Sequence, residues 1–171
     1  MDISTFDRLL RDALLHLRET SIDNKGPVAA GLESQGKTVY AVSEKRGENW
    51  LHAEHKVLQK FTSRHGAIGD DAVMAVSLSP CKSETLSRHG PPCTELLRGE
   101  GLGIDVSVDR IHVGLVDEKE ATLDQYRRMG FDITCTESEQ LRTCCQRLET
   151  FFELPHEQRD SAFINQALRQ L

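Results

Sequence analysis

Apolar residues recur at helical spacing from the start of the chain, with Phe6, Leu9, Leu10, Ala13, Leu14 and Leu17 on one face. This predicts an amphipathic first helix, with Ser4 placed to cap it and Asp7 in its first turn. The period then changes. "PVAAGLE" and "TVYAVSE" are small-apolar and β-branched runs separated by "SQGK", where Gly36 supplies a turn conformation, so residues 27–43 read as a hairpin. A helical pattern follows at about residues 51–63. "AVMAVSLS" and "RIHVGLV" are continuous apolar runs that read as buried strands, and between them "CTELLRGEG" is a short helix stopped by glycine. "EATLDQYRRMG" is helical with a glycine stop and "FDIT" is a short strand. Residues 136–152 return to helix, with Leu141, Cys145, Leu148 and Phe152 on one stripe. Pro155 breaks that helix, and a last amphipathic segment carries Phe163, Ile164, Ala167, Leu168 and Leu171. A hairpin followed by this alternation predicts a three-layer α/β/α architecture, with a mixed sheet of about five strands between two helical layers.

Length keeps that picture to a single domain over residues 1–171, because 171 residues with 38% hydrophobic content bury one core and not two. The formal charge is -6, and lysine and arginine are scattered rather than clustered. Nucleic acid is therefore a disfavoured partner. The start "MDISTFDRLL" has no basic leader, and no stretch approaches the roughly 18 apolar residues of a membrane span, so a cytoplasmic protein is expected. Five cysteines, an odd count, favour reduced thiols or metal ligands over a disulfide framework.

Three potential ligands occupy comparable places on this scaffold. His52 opens the helix after the hairpin, Cys81 follows Ser79-Pro80 at the end of the third strand, and Cys93 follows Pro91-Pro92 at the start of the next helix. Loops beyond strand ends are where open α/β sheets place their sites. One imidazole and two thiolates suit zinc, and helix N-termini favour the thiolate form. Structural zinc sites normally close with four protein ligands, whereas three leave a position for water, whose pKa falls to about 7 on zinc. Glu54, two residues beyond His52, is placed to carry protons without ligating.

The order His-x-Glu, then Pro-Cys, then a second cysteine opening a helix resembles the zinc-dependent cytidine deaminase superfamily. The two cysteines usually lie close there, whereas here "CKSETLSRHGPPC" separates them by eleven residues. A widened gap ending in Gly-Pro-Pro-Cys is similar to the pyrimidine deaminase domain of riboflavin biosynthesis, and the likeness continues through "TELLRGEG", "RIHVGLVDE" and "LDQYRRMGFDIT" to the "FF" at 151 and 152. The resemblance implies the cytidine deaminase-like fold, a bound Zn2+ and a homo-oligomer. It also implies a reaction in which water replaces an amine on a small aminated ring. The chain departs from that family at two positions that bear on substrate recognition. Gly26-Pro27 stands for Asn-Pro, and Ser83 stands where a histidine usually follows the first cysteine. "DEKE" replaces Asp-Pro-Asn-Pro, and no reductase domain follows.

The loop at residues 82–92 begins and ends at proposed ligands, so it is expected to line a substrate pocket. Lys82, Arg88 and His89 suit a phosphate or a polar ring substituent, and Ser83 and Glu84 suit an amine. Asn24, Asn49 and Trp50 are the alternative contacts. Three functions stay open at this level. One is a hydrolytic deaminase of a small pyrimidine, nucleoside or nucleotide; another is a nucleic-acid deaminase, including a toxin domain; the third is a non-enzymatic zinc module with His89 as fourth ligand. Cys135, Cys144, Cys145, His55, His65, His112 and His156 read as core or surface residues.

Overall fold

The computed structural model describes residues 4–82, 91–100, 103 and 106–171. The first helix, α1 (Thr5–Glu19), starts where the Ser4 hydroxyl accepts a hydrogen bond from the Asp7 N–H at 3.1 Å. Its core face is Leu9, Leu10, Ala13, Leu14 and Leu17, as the spacing predicts. Phe6 departs from that expectation. It is 37% exposed, and Asp7 is buried in its place. The cause is polar: the Asp7 carboxylate meets His112 Nε2 at 2.8 Å and accepts from Thr136 Oγ1 at 2.6 Å, which turns the helix start inward on that side.

Strands β1 (Lys25–Ser34) and β2 (Lys37–Arg46) form the expected hairpin, longer at both ends than its apolar runs. Ser34 pairs with Lys37 around Gln35 and Gly36, whose φ values of 52° and 68° are those of a two-residue primed turn. Next comes β3 (Asn49–Leu51), a three-residue edge strand paired with the end of β2. Helix α2 (Ala53–His65) follows it, then β4 (Val73–Leu78), the one-turn helix α3 (Cys93–Leu96) and β5 (Arg110–Leu115). Helix α4 (Leu123–Arg128), β6 (Asp132–Cys135), α5 (Glu139–Glu149) and α6 (Ser161–Ala167) complete the order.

The sheet order is β3-β2-β1-β4-β5-β6, antiparallel up to β4 and parallel from β4 to β6. The described residues thus give six strands where the sequence pattern predicts about five. The extra one is β3, too short to show any alternation. One face of the sheet packs Ala30, Leu32, Met74, Val76, Ile111 and Val113 against the buried faces of α2, α3 and α4. The other packs Ala29, Val42 and Ala75 against α1, α5 and α6. This is the expected three-layer α/β/α arrangement. Among the described residues, no helix is long and apolar enough to cross a membrane.

The stripe predicted for the helix at 136–152 ends differently. Phe151 is buried and Phe152 is 43% exposed. Residues Thr150–Glu153 tighten into a 3₁₀ turn, whose three-residue period brings Phe151, not Phe152, into line after Leu148. Helix α5 also approaches β5 unusually closely at Gly114, where a Cβ would stand 2.2 Å from Cys145 Sγ and 2.9 Å from the Ser77 carbonyl oxygen. Because one of those neighbours is backbone, Gly114→Ala is expected to lower unfolding stability by about 1–3 kcal/mol. A urea titration with its midpoint unchanged would contradict that close approach.

Candidate metal centre

The end of β4 and the starts of α2 and α3 converge at one point. His52 is the N-cap residue of α2, with extended backbone (φ −70°, ψ 148°), which is why the helix begins at residue 53 and the imidazole is left pointing off its end. Cys81 lies three residues past β4, and Cys93 opens α3 directly after Pro92, whose fixed φ suits the position just before a helix. The Thr94 N–H donates to the Cys81 carbonyl at 3.1 Å, so the two cysteine segments are tied together through backbone as well as through sulfur.

The donor atoms of His52, Cys81 and Cys93 all lie within 4.8 Å of one another. His52 Nδ1 is 3.1 Å from Cys93 Sγ and 3.7 Å from Cys81 Sγ, and the Cys93 N–H donates to Cys81 Sγ at 3.2 Å. Zinc–nitrogen and zinc–sulfur bonds of about 2.0 and 2.3 Å at a tetrahedral angle require donors roughly 3.6 Å apart. The three donors sit near that spacing, and their chemistry is that of a zinc site, so the residues present fit the metal.

Without a metal the cluster shares its protons unevenly. A hydrogen bond from Cys93, together with those from His52 and the Cys93 amide, brings the Cys81 thiol down to about 4. Its bond to Cys81 pushes His52 up to about 9 against the opposing effect of burial. Cys93 is raised, by its bond to Cys81 and by burial. Glu54, 3% exposed in the first turn of α2, is raised by burial, and the Cys93 thiol hydrogen-bonds its carboxyl. One thiolate and one imidazolium at the mouth of a helix form a polarised pair ready to exchange protons for a cation.

Lys82, half-buried, follows Cys81 directly. Ser83, Arg88 and His89 lie outside the described residues, and so does nearly all of the loop expected to line a pocket. Asn24 and Asn49 are exposed, the first in a left-handed turn (φ 58°) before β1 and the second at the start of edge strand β3. The hydrogen bonds that join His52, Cys81 and Cys93 run among those three residues and involve neither asparagine. At Gly26-Pro27 the glycine is enforced by packing: a Cβ there would stand 2.4 Å from the Ser43 hydroxyl oxygen and 2.6 Å from a Trp50 ring carbon. The space that a side chain at position 26 would enter is filled by Ser43 and Trp50.

Nothing in the sequence pattern singles out Tyr126, yet it is fully buried under the site, with its phenol donating to the Pro80 carbonyl. Burial pushes that phenol up to about 12 and keeps it a donor. Helical periodicity marks it as a core aromatic and says nothing about where its hydroxyl ends.

Comparison with known proteins agrees with this geometry. The profile of the cytidine and deoxycytidylate deaminase zinc-binding region matches residues 4–103. No curated protein matches the chain in sequence. Among solved structures the chain is similar to the diaminohydroxyphosphoribosylaminopyrimidine deaminase/5-amino-6-(5-phosphoribosylamino)uracil reductase of Thermotoga maritima, with a TM-score of 0.59 and 19% identity over 85% of this chain. It spans only 40% of that protein's length. It is similar to the Aspergillus oryzae Rib2 deaminase, with a TM-score of 0.59, 17% identity, 97% of this chain and 99% of that one. It is similar also to the dCMP deaminase of cyanophage S-TIM5, with a TM-score of 0.54, 15% identity, 80% of this chain and all of that one. At these identities the structures show a shared fold, while the profile covers more than half of the chain and brings a zinc cofactor that its His/Cys/Cys group fits. The chain belongs to the cytidine and deoxycytidylate deaminase zinc-binding family.

Proposed function

We propose that the protein hydrolytically deaminates a small aminated heterocycle, a pyrimidine or a nucleoside- or nucleotide-like form of one. The observation that carries this reading is the burial of Glu54 against Cys93, two residues from His52. The carboxyl is enclosed at the point where, among the described residues, ligand-type side chains converge. His52, Cys81 and Cys93 hold the zinc. The metal supplies Lewis acidity that makes water a nucleophile at neutral pH. Glu54 carries both protons of the attacking water, the first to the ring nitrogen beside the reacting carbon and the second, from the hydroxyl that becomes the carbonyl, to the departing amine. The C–N bond breaks as the new C–O bond becomes a carbonyl, and ammonia leaves. The substrate class is supported by two relatives solved with ligands, the Rib2 deaminase with DARIPP and the cyanophage enzyme with dCMP and dUMP. The net charge of -6 favours a small molecule over a polyanion.

The test is ammonia release from zinc-loaded protein across amino-pyrimidines, their nucleosides and nucleotides, aminopurines and single-stranded oligonucleotides. Turnover of a small pyrimidine is expected. Turnover confined to oligonucleotides, or none with zinc bound, overturns the reading. Cys93→Ser is expected to lose about one zinc per chain by elemental analysis.

A further inference from the structure

Cys81 is bound to its surroundings on both sides of its Cα, and one of the two restraints comes from far along the chain. The peptide unit after Cys81 is held by the Thr94 N–H on its carbonyl at 3.1 Å. The unit before it, Pro80 C=O to Cys81 N–H, is held by the Tyr126 phenol on the Pro80 oxygen. Pro80 is buried, so its carbonyl has to find a partner within the protein. One step earlier, the Ser79 N–H donates to the Leu115 carbonyl at 2.9 Å, and the Ser79 hydroxyl accepts from the Asp117 N–H at 2.9 Å. The strand end is thus pinned to β5 up to Ser79, and beyond that point Tyr126 and Thr94 hold the two peptide units on either side of the Cys81 Cα.

Helix α4 is built to present that hydroxyl at a fixed height. It has six residues and a reciprocal cap in which the Gln125 N–H donates to Thr122 Oγ1 at 3.3 Å and the Thr122 N–H donates to Gln125 Oε1 at 2.8 Å. Tyr126 is its one buried residue, and its backbone carbonyl accepts the N–H groups of Met129 and Phe131. A leucine or phenylalanine fills such a core position with the same apolar volume. The hydroxyl is the part that packing does not require, and it reaches the residue next to a ligand.

We infer that Tyr126 is a positioning residue for the metal centre, fixing the Pro80–Cys81 peptide so that Cys81 Sγ is presented at ligand distance before a metal arrives. This rests on the reading of Cys81 as a zinc ligand. Outer-shell partners of ligands typically change metal affinity by about 10- to 100-fold when removed. Here the effect passes through backbone orientation rather than through a bond to the ligand atom.

The test compares the zinc-loaded wild type with Tyr126→Phe, Ile133→Val and Cys81→Ser, measuring zinc release to a colorimetric chelator and the thiol reactivity of the metal-free forms. Ile133 lies in the same core, on β6 beside Ile111 of β5, so Ile133→Val controls for a modest loss of packing. Tyr126→Phe is expected to release zinc on the order of tenfold faster and to expose a faster-reacting thiol, while Ile133→Val behaves as wild type. Tyr126→Phe releasing zinc at the wild-type rate overturns the inference, and so does an equal acceleration in Ile133→Val. If Cys81→Ser keeps its zinc, the ligand assignment falls and this inference falls with it. If Cys81→Ser loses zinc while Tyr126→Phe does not, only the positioning role fails.

Discussion

Glu54→Gln keeps its zinc and its fold and loses turnover by about 10²- to 10⁴-fold. The amide matches the carboxyl in shape, and burial at 3% exposure means that no solvent base stands in for it. Zinc content is unaffected because Glu54 lies outside the three-donor group of His52, Cys81 and Cys93. Stability rises slightly or stays level, since a buried ionisable group is exchanged for a neutral one. The decisive measurements are elemental zinc and the ammonia-release rate on the same preparation. Near-normal turnover with full zinc means that another group moves the proton.

The second large effect lies on the opposite face of the sheet, away from the chemistry. Asp7→Ala is expected to cost about 3–5 kcal/mol, because it removes one partner of a buried pair and leaves the other polar groups without substitutes. Asp7 is 8% exposed and His112 5% exposed. His112 is held at both ring nitrogens, by Asp7 at 2.8 Å and by Thr134 Oγ1 at 2.8 Å. Thr136 links the pair onward, donating to Asp7 and accepting from the N–H of Ser138, the N-cap residue of α5. One carboxylate thus ties the start of α1 to β5, β6 and α5. Asp7→Asn, which keeps an acceptor oxygen, recovers part of the loss. Urea unfolding at neutral pH measures both variants, and turnover per folded molecule stays unchanged in each. An Asp7→Ala midpoint equal to wild type removes the network from the account of stability.

The candidate ligands were legible as a group because their signal is chemical and local. A histidine, a glutamate two residues on, and two cysteines each behind a proline keep their meaning in a one-dimensional string, and the architecture followed from long apolar runs with clear periods. What stayed hidden depends on partners distant in sequence. Asp7 reads as an ordinary first-turn acid until His112, more than a hundred residues away, comes beside it. Tyr126 shows only the helical period, because nothing around it announces Pro80. β3 is three residues long, and Phe151 displaces Phe152 through a change of helical pitch that apolar spacing cannot encode. Trp50 and Ser43 look unremarkable until they prove to occupy the space beside Gly26.

That last contact makes three positions, 26, 43 and 50, depend on one another. Ser43 is held by the Val28 N–H at 3.1 Å, and the Trp50 ring is set edge-on to Phe151 and Phe152 at 6.2 and 6.3 Å. Neither neighbour is free to retreat when a side chain appears at position 26. Asparagine there is damaging on its own and becomes tolerable only once both Ser43 and Trp50 have been made smaller, which is sign epistasis enforced by steric exclusion. A side chain at position 26 is therefore accommodated only together with smaller residues at both 43 and 50.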